Sequence, residues 1–283
     1  MAGFWLVFTG MSCGQVQRNA AMKYTSPVGY ELNKPEVFKM DNALEEISGI
    51  TFLHGNPDTI FAQQDEKGRL FFFALGDKKP KHTRFGKDGD YEDIAMLGDE
   101  VVMLRSDGSL YRFPVGERHS KQVESTTWHK PFPKGEYESL ATRTDDNLLY
   151  ILCKECEVDR KKPTTTGYGF RLKKGGEVQE EQRFTISHSQ IEQHASLKGK
   201  SFRPSAMAWN PYTDEWYVIS SINKLLVVLD SAWQVKEAHR LDPKLYRQPE
   251  GLAFDNNRTL YIASERGNTG DRGTIYKFSF TNN

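Results

Sequence analysis

Gln248-Pro249-Glu250-Gly251-Leu252-Ala253-Phe254-Asp255, then Asn256-Asn257-Arg258, then Thr259-Leu260-Tyr261-Ile262-Ala263-Ser264-Glu265 decide the fold. The stretch reads as strand, polar turn, strand. A worn version recurs upstream. Ile47-Ser48-Gly49-Ile50-Thr51-Phe52 leads to Thr59-Ile60-Phe61-Ala62, and Tyr91-Glu92-Asp93-Ile94-Ala95 leads to Glu100-Val101-Val102-Met103-Leu104. Tyr137-Glu138-Ser139-Leu140-Ala141 and Ser205-Ala206-Met207-Ala208-Trp209 open two more copies. The marks Ser48, Glu92, Glu138, Ser205 and Glu250 are spaced 44, 46, 67 and 45 residues apart. Short strands repeating every ~40–50 residues predict a propeller.

Each repeat parses into four strands, except the last, which has three: 251–255, 260–264 and 274–280. An unassigned strand, 30–40, precedes the first repeat. Exposed sheet edges are a liability, so this strand is expected to complete the last blade. The expected fold is therefore all-β, a single β-propeller of four-stranded blades over 24–283. Five blades are favoured. The long gap leaves room for about 20 extra residues near 187–201, read as a short helix or lid, with a degenerate sixth blade as the alternative.

The 38 basic and 38 acidic residues cancel, which gives no global attraction to nucleic acid. Aromatics at 12% suit thin, twisted sheets. Phe4-Trp5-Leu6-Val7-Phe8-Thr9-Gly10-Met11-Ser12-Cys13 is apolar and too short to span a bilayer. It reads as the end of a bacterial lipoprotein signal (1–13), with Cys13 as the lipidated residue and 14–23 as a tether. No Lys or Arg precedes the run, so the signal reads as truncated. The expectation is a monomer in the cell envelope, held to a membrane only by its lipid. Cys153 and Cys156 form a lone C-x-x-C. That excludes a four-sulfur zinc site within this chain and leaves a buried thiol pair or a short-loop disulfide. An oxidising compartment would favour the disulfide.

The first strand of a blade lines the central channel, so the five marks aim at one rim. Glu92, Glu138 and Glu250 converging there would repel one another. Each must protonate, bond backbone N–H groups or share a cation. A hard cation with oxygen ligands, calcium first, fits; hydrogen-bonded ties between blades are the structural alternative. Asp65-Glu66, Lys154-Glu155 and Glu265-Arg266 follow the marks by 15–18 residues. They are expected at the opposite end of the blade or on its shoulder. With Ser48, Ser205 and Arg203, the residues Lys154, Glu155 and Glu265 form the expected ligand-binding set. His188 and His194 do not share a helical i, i+4 face, and neither a phosphate-binding glycine loop nor a nucleophile elbow is present. A lactonase-type site would call on Asn210 and Asp255.

Glu45-Glu46-Ile47-Ser48-Gly49-Ile50, Asp65-Glu66, Leu149-Tyr150 with Lys154-Glu155, and above all Gln248 to Ala253 with Leu260 to Glu265 resemble the SdiA-regulated (YjiK-like) family of bacterial β-propellers. The resemblance runs from about Tyr24 to Phe280. Ser205-Ala206-Met207 stands where the family has Ser-Gly-Leu. The resemblance implies an envelope location. It also implies calcium or phosphate esters as ligands, through a calcium-linked member and a distant likeness to phytase propellers. The resulting expectation is a non-enzymatic envelope propeller binding calcium or a small ligand at its channel face. A calcium-dependent phytase-like phosphoesterase and a protein-interaction scaffold are the alternatives.

Overall fold

The computed structural model describes residues 24–282, apart from 144, 198, 200 and 268–271. The first strand among the described residues is β1 (Glu36–Lys39). The first full blade is β2 (Ile47–Phe52), β3 (Ile60–Gln64), β4 (Arg69–Phe73) and β5 (Lys81–Arg84). The second is β6 (Tyr91–Leu97), β7 (Glu100–Arg105), β8 (Leu110–Pro114) and β9 (Thr126–Trp128). The third is β10 (Gly135–Arg143), β11 (Leu148–Cys156), β12 (Thr164–Leu172) and β13 (Val178–Ser187). Helix α1 (His188–His194) follows. The fourth is β14 (Ala206–Asn210), β15 (Glu215–Ser220), β16 (Leu225–Asp230) and β17 (Val235–Arg240), and the last run is β18 (Gln248–Phe254), β19 (Leu260–Glu265) and β20 (Thr274–Phe278).

These strands form five four-stranded antiparallel sheets in a ring, a five-bladed β-propeller. β1 pairs with β20, with Lys39 opposite Thr274 and Glu36 opposite Lys277, so the ring closes as expected. The closing strand is shorter than the predicted 30–40. Pro35 has no N–H for a ladder, and the segment before it makes turns, with Tyr30 N–H donating to Pro27 O at 3.1 Å. The described residues of 187–201 form no sixth blade: they include α1, whose Ile191 is fully buried beside Trp216, Trp233 and Phe202.

The core is divided among five clusters lying between neighbouring blades. Alternate side chains of each strand face opposite neighbours. In β16, Leu225, Val227 and Leu229 join one cluster, while Leu226 and Val228 join the next. The inner strands β2, β6, β10, β14 and β18 contact one another in sequence around the channel. Their close approach depends on small residues. A Cβ at Gly251 would lie 2.6 Å from Ser48 O, and one at Gly49 would lie 2.8 Å from Ile94 N.

Candidate functional site

The marks are aimed at the channel mouth by breaks in the ladder. Tyr91 opposes Arg105 and Asp93 opposes Leu104, so Glu92 is an extra residue. In the third blade Tyr137 opposes Cys153 and Ser139 opposes Leu152, which leaves Glu138 extra. Pro249 opposes Ser264 and Gly251 opposes Ala263, which leaves Glu250 extra. In the first blade Ser48 and Gly49 together span one position, between the Ile47–Gln64 and Ile50–Ala62 pairs. Each break is a β-bulge, which bends the strand and redirects a side chain out of the pleat. The third blade has a second bulge facing the first: Lys154 lies between Cys153 and Glu155, which oppose Tyr137 and Glu136. A Cys153–Cys156 disulfide brackets Lys154 and Glu155.

The ends of the second strands stand at the same mouth as the marks, not at the opposite end or on the shoulder. An antiparallel hairpin returns its second strand to where the first began, and Gln64 and Glu265 accordingly oppose Ile47 and Gln248. The acidic marks are thereby joined by Glu46, Asp65 and Glu265. Among the described residues, the carboxylates that come within ligand distance are these three, each with an oxygen within 4.8 Å of the others. Glu46 was not anticipated from sequence. Arg266 holds it in place, with Nε 3.0 Å from Glu46 and Nη1 donating to Glu45 at 2.6 Å.

The mouth is strongly biased toward protonation. Burial, then the charge of Glu138, pushes the Glu92 carboxyl up to about 9. Burial and Glu46 raise Asp65 to about 6. Burial raises Glu265 to about 7, even though Glu265 hydrogen-bonds Glu250. Glu250 is driven well above the carboxylate range, first by burial and then by that bond to Glu265. Glu138 is raised by burial against the opposing pull of Lys154, with which it forms an ion pair. Six carboxyls thus outnumber the cations of this mouth, Lys154, Arg203, Lys224 and Arg266, and the excess negative charge is relieved by bound protons or by a metal ion. Asp65 Oδ1 is buried with no hydrogen-bond partner. An orphaned acidic oxygen beside two other carboxylates fits a hard cation.

The remaining predicted residues separate into two roles. Lys154, Arg203, Ser205, Glu138 and Glu250 share one cavity of about 370 Å³ at this mouth. Lys154 and Arg203 also line a neighbouring cavity of about 750 Å³, together with Glu155 and the Arg160–Lys162 loop. Arg203 pairs with Glu155 at 2.9 Å. Ser205 is a tie between blades: its hydroxyl donates to Pro249 O at 2.9 Å and accepts from Ser221 N–H at 3.0 Å. Ser48 is buried, and its hydroxyl reaches Glu46 O at 3.4 Å. Asp93 is a tie that sequence reasoning missed. Its two oxygens accept from Ile94 N–H at 2.8 Å and Leu140 N–H at 2.7 Å, joining the second blade to the third. Asn210 and Asp255 shape turns: Asn210 accepts from Tyr212 N–H at 3.1 Å, and Asp255 accepts from Asn257 and Thr259 N–H at 2.8 Å each. Cys13 lies outside the described residues.

Solved propellers share this architecture. Glutaminyl cyclase from Myxococcus xanthus superposes with a TM-score of 0.58 at 13% identity, over 87% of this chain and 96% of that one. The PQQ-bound aldose sugar dehydrogenase from Streptomyces coelicolor gives 0.54 at 12% identity, over 88% and 99%. At such identities the likeness concerns fold alone. A search of curated protein sequences finds no match. A profile of the SdiA-regulated family matches residues 25–269. With a family match over most of its length and five closed blades, the chain belongs to the SdiA-regulated family.

Proposed function

We propose that this protein binds a hard divalent cation, calcium first, at the acidic mouth of its channel. The reading rests on one observation: oxygens of Glu46, Asp65 and Glu265 lie within 4.8 Å of one another. The orphaned Asp65 Oδ1 supports it. Glu46, Asp65 and Glu265 would hold the ion. Glu250 would support Glu265 through their shared hydrogen bond, and Glu92 and Glu138 would extend the negative field. A bound dication offsets the burial and mutual repulsion that otherwise keep these groups protonated, so binding releases protons. The adjoining cavity with Lys154 and Arg203 gives room for a small ligand beside the ion.

Calorimetric titration of calcium into chelator-treated protein tests the proposal. Wild type is expected to bind with proton release. Asp65→Asn combined with Glu265→Gln is expected to abolish binding, and Glu92, Glu138 and Glu250 all changed to Ala are expected to weaken it. A folded wild type that takes up no calcium ends the proposal. We also propose an envelope location with Cys13 lipidated, supported by the apolar run before that residue. The Cys153–Cys156 disulfide agrees with an oxidising compartment. Failure of wild type to incorporate a labelled fatty acid, or incorporation unchanged in Cys13→Ala, would refute it.

A further inference from the structure

The channel has a second mouth, where the inner strands end, and its chemistry is opposite to the first. A cavity of about 380 Å³ opens there, lined by residues from all five inner strands. Its lining begins two residues beyond each mark, with Ile50, Ile94, Leu140, Met207 and Leu252, at most 4% exposed. This aliphatic belt lies between the acidic mouth and the cavity along every inner strand. Farther out stand Phe52, Trp209 and Arg143.

Arg143 does not fit a purely structural wall. Its guanidinium lies 4.5 Å from the centre of the Trp209 indole. The side chain is 27% exposed, and Nε is buried without a hydrogen-bond partner. The carboxylate beside it, Asp146, is 3.9 Å away. Both Asp146 oxygens are already engaged, one by the Tyr150 hydroxyl at 2.6 Å and one by Leu148 N–H at 2.9 Å. Arg143 otherwise hydrogen-bonds the neutral Tyr150 hydroxyl. A partly buried guanidinium without a hydrogen-bonded anion has unmet donor capacity.

We propose that this mouth is a binding site for a small monocarboxylate with an apolar body. The body would lie against the aliphatic belt, and the carboxylate would accept from Arg143. Ligand cavities run from about 300 to 1,000 Å³, so a compact molecule is indicated. A single guanidinium suits one carboxylate, and the Asp255 carboxyl, which also lines the cavity, disfavours a phosphate dianion more than a single negative charge. The site is independent of the cation at the other mouth.

Decanoate is the probe, with decanol as its uncharged control, titrated into the full chain by calorimetry and tryptophan fluorescence. A carboxylate–guanidinium contact contributes about 1.5–3 kcal/mol, so Arg143→Gln should weaken decanoate binding about tenfold or more. Arg143→Lys should recover part of that loss, and decanol should bind like decanoate to the Gln variant. Circular dichroism confirms that each variant is folded. Absence of decanoate binding to wild type at millimolar concentration overturns the proposal. So does equal binding of decanoate and decanol, or of wild type and Arg143→Gln, which would leave Arg143 as a cap on Trp209.

Discussion

Asp93 shows how one residue can serve the ring instead of the ligand. It follows the mark in the second repeat, where the first and last repeats have Gly49 and Gly251. Its carboxyl replaces bare backbone contact with two hydrogen bonds to buried N–H groups. Asp93→Ala leaves the Leu140 N–H unsatisfied, at a cost of about 1–3 kcal/mol, visible as a lower midpoint in urea. Gly49→Ala should destabilise as well, because its new Cβ would meet Asp93 Oδ1 at 2.6 Å. The mouth carboxyls make a second prediction. Glu92, Asp65 and Glu265 hold protons to about 9, 6 and 7, against about 4 in the unfolded chain. Between those limits the native state binds more protons than the unfolded state, so stability falls as pH rises. In chelator, the melting temperature should drop steadily from pH 5 to pH 9, and calcium should flatten the slope. Melting curves at fixed ionic strength decide the matter. The glutamate marks were legible in sequence because they repeat. Asp93 and Glu46 were not: the first departs from the repeat at its position, and the second precedes a strand and reaches the mouth only when held by Arg266.

At the scale of elements, the bulges carry the site. A bulge leaves little trace in sequence, because one extra residue in a strand resembles ordinary alternation. The convergence of the marks could therefore be read, but not the means by which they turn inward. The paired bulges of β10 and β11 place Glu138 against Lys154, and the Cys153–Cys156 disulfide holds the outer one. Its loop is very short, so loop-closure entropy gives about 2 kcal/mol on the chain-entropy account. Replacing both cysteines with serine should lower stability by up to that amount. It should also weaken calcium binding, if Lys154 loses its position opposite Glu138. Chemical denaturation and calorimetry separate the two effects. The hairpin ends were misplaced for a different reason: counting residues along a hairpin does not substitute for following its reversal.

For the whole molecule, the fold was legible because the repeat, the three-strand final blade and the spare N-terminal strand all pointed to a closed ring. Closure itself can be tested. Thr281 N–H donates to Gly29 O at 2.9 Å, so the segments flanking β1 and β20 already run side by side. A permutant that moves 24–40 to follow 282 should fold to a stability near that of wild type. A chain beginning at 41 should aggregate or lose cooperative unfolding, because β20 is left as an open edge. A monomer is expected at working concentration. The large apolar side chains exposed among the described residues, Val28, Val37, Tyr212 and Ile222, are few. Light scattering after gel filtration checks this against 32.4 kDa.

The pairing of β1 with β20 also imposes an order in time. The first described strand, β1, cannot take its place until β20 has been made, at a sequence separation of 235 between Lys39 and Thr274. Translation that stops between Arg240 and Thr274 leaves the other four blades formed but the seam unsealed. Such a product presents an unpaired strand at each side of the gap, the kind of surface that chaperones and proteases capture. The seam therefore works as a completeness check: the ring closes only in a chain read through β20.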